Sequence, residues 1–160
     1  MLGGVLGPVM MILYKNNERE KMLQLLKSFM SFIGLTLSIP LLLLCFFSKD
    51  IIFLWVGHNY SDIEKLSWII LLPLTINLST IPLFTINIAM NKVRVPSISN
   101  LFFGCIGILL IFLIMRYTDL GYISIALGLI ISLTLKNGIF IPIYAARILK
   151  VNSFYFLKIQ

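Results

Sequence analysis

Long uncharged, apolar runs dominate the chain, and short charged stretches separate them. Four runs are close to the about 20 residues that an α-helix needs to cross a lipid bilayer. They cover residues 28–48, 66–91, 95–115 and 120–146. Each run is predicted to be helical, because an isolated strand would leave its backbone polar groups unpaired in lipid. The pattern predicts an all-α, polytopic transmembrane helical bundle that forms a single membrane domain over residues 1–160.

Three other segments, two apolar and one amphipathic, cannot span the bilayer alone. Residues 1–14 are predicted to form a partial helix. Residues 15–27 place Met22, Leu25, Leu26 and Phe29 on one face, which predicts an amphipathic interfacial helix leading into the first span. A helix that binds a partner is the alternative. Residues 51–57 are expected to lie in the outer interface.

Four prolines fall inside the predicted spans, at positions 40, 73, 82 and 142. A proline lacks the backbone N–H that a helix interior needs, and its ring clashes with the preceding turn. We therefore expect these positions to kink the helices or to mark broken segments.

The composition excludes most soluble classes of protein. Of 160 residues, 59% are hydrophobic and 12% are charged, and the mean hydropathy is +1.02. This leaves too little polar surface for a soluble enzyme or a disulfide scaffold. The net charge of +7 does not indicate nucleic-acid binding, because the basic residues are scattered between apolar runs. Cys45 and Cys105 lie within such runs and are expected to act as small hydrophobes. We expect no catalytic activity and no cofactor or metal.

The basic residues predict the topology. If four spans alternate, one side of the membrane holds nine basic residues: Lys15, Arg19, Lys21, Lys27, Lys92, Arg94, Arg147, Lys150 and Lys158. The opposite side holds Lys49, Lys65 and Arg116 beside Asp50, Asp62, Glu64 and Asp119. The positive-inside rule places the first side, with both termini, in the cytoplasm. The aromatic residues Trp55, Tyr60, Trp68, Tyr117 and Tyr122 are expected at the outer edge.

Lys136 is the charged residue that stands out within a predicted span. It lies about 24 Å along the last helix from Leu120, past the midplane. A lysine at a helix centre costs roughly 2.5–3.5 kcal/mol on insertion scales, and less near the interface. One interpretation is a site for an anionic headgroup. The other is a lysine that extends to the cytoplasmic interface.

Two sets of small or polar residues also lie within the spans. Asn77, Thr80 and Asn87 give the second span an unusual polar content, which predicts either interhelical hydrogen bonds or a hydrophilic transport path. The second set is predicted to allow close helix packing. Its members are Gly104, Gly107, Gly121, Ser124 and Gly128.

The order of features along the chain is similar to a known arrangement. Gly7 and Pro8 precede a charged amphipathic stretch and a helix with a central Pro40. An outer segment FSKDIIFLWVGHNY follows, then a helix with Pro82, a short NKVRVP turn, a glycine-containing helix and the start LGYISIALG. This order resembles the C-terminal region of Wzx-type oligosaccharide flippases, within the multidrug/oligosaccharidyl-lipid/polysaccharide exporter superfamily. The matching positions are Phe47, Trp55, Gly57, Tyr60, Pro82, Asn91, Lys92, Pro96, Gly121 and Gly128.

The resemblance implies a transporter of two helical bundles in the bacterial inner membrane. Such a transporter moves an undecaprenyl-diphosphate-linked oligosaccharide to the outer leaflet for surface polysaccharide biosynthesis. Lys136 is our candidate for contact with the diphosphate, because of its depth and charge, and Asn77 and Asn87 are further candidates. Lys92 and Arg94 are second candidates at the cytoplasmic mouth, with simple positive-inside anchors as the alternative. Four helices do not form both halves of such a cavity, so we expect a missing N-terminal bundle or a partner subunit, besides membrane lipids.

Two other functions stay open. A drug or cation antiporter of the same superfamily would need an intramembrane carboxylate, and no Asp or Glu lies inside the four runs. A non-transporting scaffold for polysaccharide assembly would not depend on Lys136. A membrane glycosyltransferase is disfavoured, because the sequence has no cluster of catalytic carboxylates.

Overall fold

The structure is a computed structural model that describes residues 2–57 and 63–158. Over these ranges the chain is helical and has no strand. The α-helices are α1 (Leu2–Lys15), α2 (Arg19–Phe46), α3 (Ser48–Val56), α4 (Ile63–Ser79), α5 (Ile81–Ala89), α6 (Arg94–Tyr117), α7 (Tyr122–Thr134) and α8 (Ile141–Ile148). A π-helical segment (Leu135–Phe140) joins α7 to α8. Tyr60 and Asp62, which the sequence places at the outer edge, lie outside the described residues.

The prediction of four helices of spanning length is confirmed, with bounds that differ from those of the predicted runs by one to nine residues. Four helical stretches are long and apolar enough to cross a membrane: Arg19–Phe46, Ile63–Ala89, Arg94–Tyr117 and Tyr122–Ile148. At 1.5 Å per residue they measure about 36–42 Å, which exceeds the roughly 30 Å hydrocarbon core. Their charged ends can therefore reach the headgroup region. α1 is the shorter apolar helix expected before them.

The amphipathic segment is continuous with the first span instead of forming a separate helix. α2 begins at Arg19 and continues without interruption to Phe46. Met22 and Leu26 are buried in the core, and Leu25 and Phe29 pack against it. The predicted apolar face exists, but it packs on other helices and not on lipid. No proline or glycine lies between Arg19 and Lys27, so the backbone hydrogen-bond ladder passes from the amphipathic segment into the span.

Pro82 separates α4 from α5, as the proline pattern predicts. A proline at position 82 cannot donate to the carbonyl of Leu78, four residues earlier. The chain turns at Thr80, whose hydroxyl donates to the Asn77 carbonyl at 2.8 Å. Pro40 and Pro73, in contrast, lie inside helices that continue past them.

Pro142 follows the π-helical segment. There the Ile141 N–H donates to the carbonyl of Lys136, five residues back. Pro142 cannot donate to Gly138, so one ladder bond of the helix is missing at this point. The wider π-turn accommodates this defect. The bend that the sequence predicts near Pro142 therefore takes the form of a π-turn that contains Lys136.

The hydrophobic core is concentrated towards one end of the bundle. We call this the basic end, because Arg19, Lys92, Arg94, Arg147 and Lys150 lie there. Side chains from α1, α2, α5, α8 and the C-terminal tail form the core cluster: Leu6, Met10, Met22, Leu26, Met30, Leu83, Ile86, Ile141, Ala145, Ala146, Leu149 and Phe156.

Small residues set the close contact between α6 and α7, as predicted for two of the glycines. A Cβ built on Gly128 would lie 2.5 Å from Ile111 Cγ1 and 2.8 Å from the Ile111 backbone nitrogen. A Cβ on Gly107 would lie 3.4 Å from Ser132 Cβ. The prediction is wrong for Gly104 and Gly121, which have no neighbouring atom within 4 Å of such a Cβ. Gly104 lies on an open face of α6, and Gly121 instead supplies a left-handed backbone (φ +55°) before α7.

Candidate functional site

Lys136 lies in the π-helical segment, between α6 and α5. Its Nζ donates a hydrogen bond to Oδ1 of Asn100 on α6, at 3.0 Å. The same Nζ is 6.0 Å from the centroid of the Phe84 ring on α5, at the outer limit for a cation–π contact. Within residues 2–57 and 63–158 no carboxylate pairs with it, since the ion pair found there joins Lys21 to Glu18. The hydrogen-bond partner of Lys136 is therefore neutral and does not offset the charge of an ammonium group there.

A cavity of about 150 Å³ surrounds Lys136 on the side of α6. Lys136, Asn100 and Ser132 supply its polar lining, and Gly104 and Gly107 leave room beside them. The Ser132 hydroxyl donates to the Phe103 carbonyl and thereby ties α7 to α6. We call this cavity the Lys136 groove. An anionic group that reaches it would meet one cation and neutral hydrogen-bonding groups.

Asn100 is the polar partner that reasoning from sequence missed. It is a single asparagine near the basic end of α6, between Ser99 and Leu101. No periodic pattern distinguishes it from the many other polar residues near helix ends. The depth of Asn100 in the membrane could have identified it. It lies about 9 Å from the start of α6, at the level that the side chain of Lys136 reaches when it extends towards the basic end.

Aromatic rings connect the Lys136 groove with the basic end. The Phe103 ring, which lines the groove, has its centroid 5.8 Å from that of Phe140. Phe140 stacks on Tyr144 at 6.1 Å with nearly parallel planes. The Tyr144 hydroxyl then donates to the backbone carbonyl of Lys92 at 3.4 Å. These rings fix the orientation of α8 against α6 and of the turn that carries Lys92.

Asn77 forms one of the interhelical hydrogen bonds that the sequence predicts. Its Nδ2 donates to Thr134 Oγ1 on α7 at 3.3 Å and to the Pro73 carbonyl at 3.0 Å. Its Oδ1 has no partner, although the residue is buried. This amide therefore links α4 to α7 and retains one free acceptor.

Asn87 is a buried polar residue whose side-chain amide makes no hydrogen bond to the described residues. It is 1% exposed, and neither its Nδ2 nor its Oδ1 has a hydrogen-bond partner. It lies on α5, one turn after Phe84, whose ring centroid is 6.0 Å from the Lys136 Nζ. Asn137 in the π-helical segment is also buried, with a free Oδ1. Free amide groups at these depths are unusual, because an unsatisfied buried group costs about 1–3 kcal/mol.

Lys92 and Arg94 lie apart from the Lys136 groove. Both are exposed at the basic end: Lys92 lies on the turn between α5 and α6, and Arg94 is the first residue of α6. Lys92 lines a separate cavity with Arg19 and Lys150. The predicted site residues therefore occupy different places: Lys136 in its groove, Asn77 and Asn87 inside the bundle, and the other two at the basic end.

Comparisons with known proteins support a membrane protein and leave the family open. No protein-family model matches the chain, and no solved structure matches it. The chain is 31% identical over 157 residues to a protein named "Uncharacterized membrane protein EpsK" from Bacillus subtilis strain 168. The match covers 98% of this chain but 31% of that relative's length. Together with the four apolar helices, it identifies the chain as a multi-pass membrane protein.

Proposed function

We propose that this chain forms one helical bundle of a transporter that flips an undecaprenyl-diphosphate-linked oligosaccharide across the bacterial inner membrane, for surface polysaccharide biosynthesis. The resemblance of its ordered features to the C-terminal region of Wzx-type flippases supports this function. A second bundle, from the same protein or from a partner subunit, would complete the cavity. The matched relative is also much longer than the aligned region.

The observation that carries the proposal is the unpaired charge of Lys136. A lysine at this depth is costly unless it meets a polar cavity or a partner. Its partner in the bundle is the neutral Asn100, so the cation is available to a diphosphate that enters the groove. Ser132 donates its proton to the Phe103 carbonyl, so the charged Lys136 and the neutral Nδ2 of Asn100 are the side-chain donors left for an anion there.

The positions of the carboxylates in the spanning helices do not favour an antiporter. In the described part of the chain, the acidic residues of the spanning helices are Glu20 and Glu64, each in the first turn of its helix. A cation-coupling carboxylate would be expected deeper in the membrane. A drug or cation antiporter therefore has no residue in these ranges to carry its coupling step.

A charge series at position 136 tests the proposal. In the intact protein at its native locus, Lys136→Ala should reduce surface polysaccharide about tenfold or more, because a charge-assisted hydrogen bond contributes about 1.5–3 kcal/mol. Lipid-linked oligosaccharide should accumulate in the membrane. Lys136→Arg keeps the cation and should retain most of the export. Lys65→Ala, an exposed lysine at the opposite end, is the matched control.

Two outcomes would overturn the proposal. Normal export by Lys136→Ala, at a normal protein level, would favour a scaffold that does not transport. A deletion strain with altered drug susceptibility but intact surface polysaccharide would favour an antiporter.

A further inference from the structure

A second cavity, of about 340 Å³, lies at the basic end, at the expected level of the lipid headgroups. Three chain segments far apart in sequence each contribute one cation to its lining: Arg19 at the start of α2, Lys92 between α5 and α6, and Lys150 after α8. No acidic side chain lines it. Within residues 2–57 and 63–158 none of these three cations forms an ion pair, and nearby Glu18 is paired with Lys21 at 2.6 Å.

The same backbone motif ends the three helices whose last turns line this cavity. α1, α5 and α8 each end with a non-glycine residue in the left-handed region: Asn17 (φ 56°), Asn91 (φ 52°) and Lys150 (φ 51°). In each case the next backbone N–H donates to a carbonyl five residues back, as in the Schellman motif. These bonds run from residue 18 to residue 13 (3.0 Å), from 92 to 87 (2.8 Å) and from 151 to 146 (3.0 Å).

Lys150 is an unusual residue for this position. The left-handed residue after a helix is usually Gly and sometimes Asn, because a Cβ is disfavoured there. α1 and α5 use Asn, but α8 uses a lysine whose side chain lines the cavity. The left-handed backbone at Lys150 therefore holds a third cation at the lining of the cavity.

The charge balance also favours an anion. Helix C-termini attract cations, and each corresponds to roughly −0.5 charge, so three termini supply about −1.5 in total. Three full positive charges exceed that value. The Schellman bonds also occupy carbonyls that would otherwise bind the lysines. The cavity therefore keeps a net positive potential.

The rest of the lining selects an amphipathic ligand. Tyr14 and Asn17 offer hydrogen bonds beside the cations, while Met22, Met90 and Leu149 supply an apolar wall. Basic pockets between membrane helices at the cytoplasmic side suit lipid phosphates. We propose that this cavity binds the phosphate group of an anionic phospholipid from the adjacent leaflet. The proposal goes beyond the proposed function, because it requires neither transport nor an oligosaccharide.

Native mass spectrometry of the intact, detergent-purified protein tests this site, with phosphatidylglycerol and phosphatidylcholine as probes. The wild type should retain phosphatidylglycerol preferentially. Each Lys or Arg near the phosphate contributes about a fivefold increase in affinity, so a triple variant Arg19→Gln, Lys92→Gln, Lys150→Gln should bind about 100-fold more weakly. The control Lys27→Gln, Arg147→Gln, Lys158→Gln removes the same charge from the basic end outside this cavity. It should bind as the wild type does.

Three results would overturn the proposal. Equal losses in both triple variants would show a diffuse basic surface without a site. Full retention by the first variant would show that the three cations do not hold the lipid. Displacement by millimolar inorganic phosphate would assign the cavity to a soluble phosphate compound instead of a lipid. A thermal melt of each variant shows that the compared proteins are folded.

Discussion

The Nζ of Lys136 lies 3.0 Å from Oδ1 of Asn100, across the contact between the π-helical segment and α6. An amide oxygen satisfies one N–H of an ammonium group but does not neutralise its charge. In a membrane interior, this arrangement lowers the cost of the lysine while leaving it attractive to an anion. The hydrogen bond between Lys136 and Asn100 thus stabilises the protein without substrate and leaves the lysine able to bind an anion.

Replacing Asn100 by aspartate tests whether the free charge matters. Asn100→Asp has almost the same shape, but its carboxylate would pair with Lys136 and compete with an anionic substrate. We expect export to fall about tenfold, with protein level and thermal stability maintained. The measurements are surface polysaccharide and the melting temperature of the purified protein. Asn100→Gln, which stays neutral, should lose less activity; an Asn100→Asp variant with normal export would contradict this role.

Gly128 should be intolerant of any side chain. Its Cβ would approach the backbone of Ile111, which cannot move away as a flexible side chain can. Gly128→Ala should lower the free energy of unfolding by about 1–3 kcal/mol, as overpacking does. Gly104→Ala is the matched control on the same pair of helices and should not destabilise the protein, because its Cβ meets open space and alanine favours a helix over glycine. Thermal unfolding in detergent measures both, and equal melting temperatures would refute the predicted contact.

Replacing Asn87 by leucine should stabilise the protein and impair transport. Both of its amide atoms are buried without partners, so Asn87→Leu removes an uncompensated polar group at similar size. We expect the variant to be about 1 kcal/mol more stable and to transport less well. Asn77→Leu, which loses the bond to Thr134, should not be stabilised in this way. Melting temperature and export are measured together. A destabilised Asn87→Leu protein would show that this amide has structural partners.

The orientation of the bundle can be measured with single cysteines. In a variant of the intact protein without native cysteines, Cys45 and Cys105 among them, Asn152→Cys and Thr118→Cys place one exposed thiol at each end of the bundle. Because the positive-inside rule places the basic end in the cytoplasm, an impermeant maleimide should label position 118 in intact cells. Position 152 should react after the cells are permeabilised. Labelling of position 152 in intact cells, and of position 118 after permeabilisation, would contradict the proposed topology.

The sequence predicts the spans because a bilayer imposes a length and an apolar composition on every crossing helix. Pro82 also predicts the separation of α4 from α5. The N–H that a proline lacks is known from the sequence alone and does not depend on tertiary contacts. The continuity of α2 through residues 19–27 was not predicted as such. An amphipathic face that packs on α1 has the same periodicity as one that lies on lipid.

The candidate site was predictable only in part. Lys136 stands out because charge is rare in a span, but its partner Asn100 depends on the packing of α6 against α7. Gly104 and Gly107 illustrate the same limit: they are three residues apart, yet one faces open space and the other faces Ser132. The rotation of a helix about its axis is decided by tertiary contacts, so local sequence does not specify it.

The most direct test of the account is translocation by the purified, intact protein in proteoliposomes. A fluorescent undecaprenyl-diphosphate-linked oligosaccharide is placed in one leaflet, and its arrival in the other leaflet is measured. The account predicts transfer by the wild type, a rate about tenfold or more lower for Lys136→Ala, and a rate close to wild type for Lys136→Arg. Equal rates for the wild type and Lys136→Ala, or no transfer above protein-free vesicles, would contradict it.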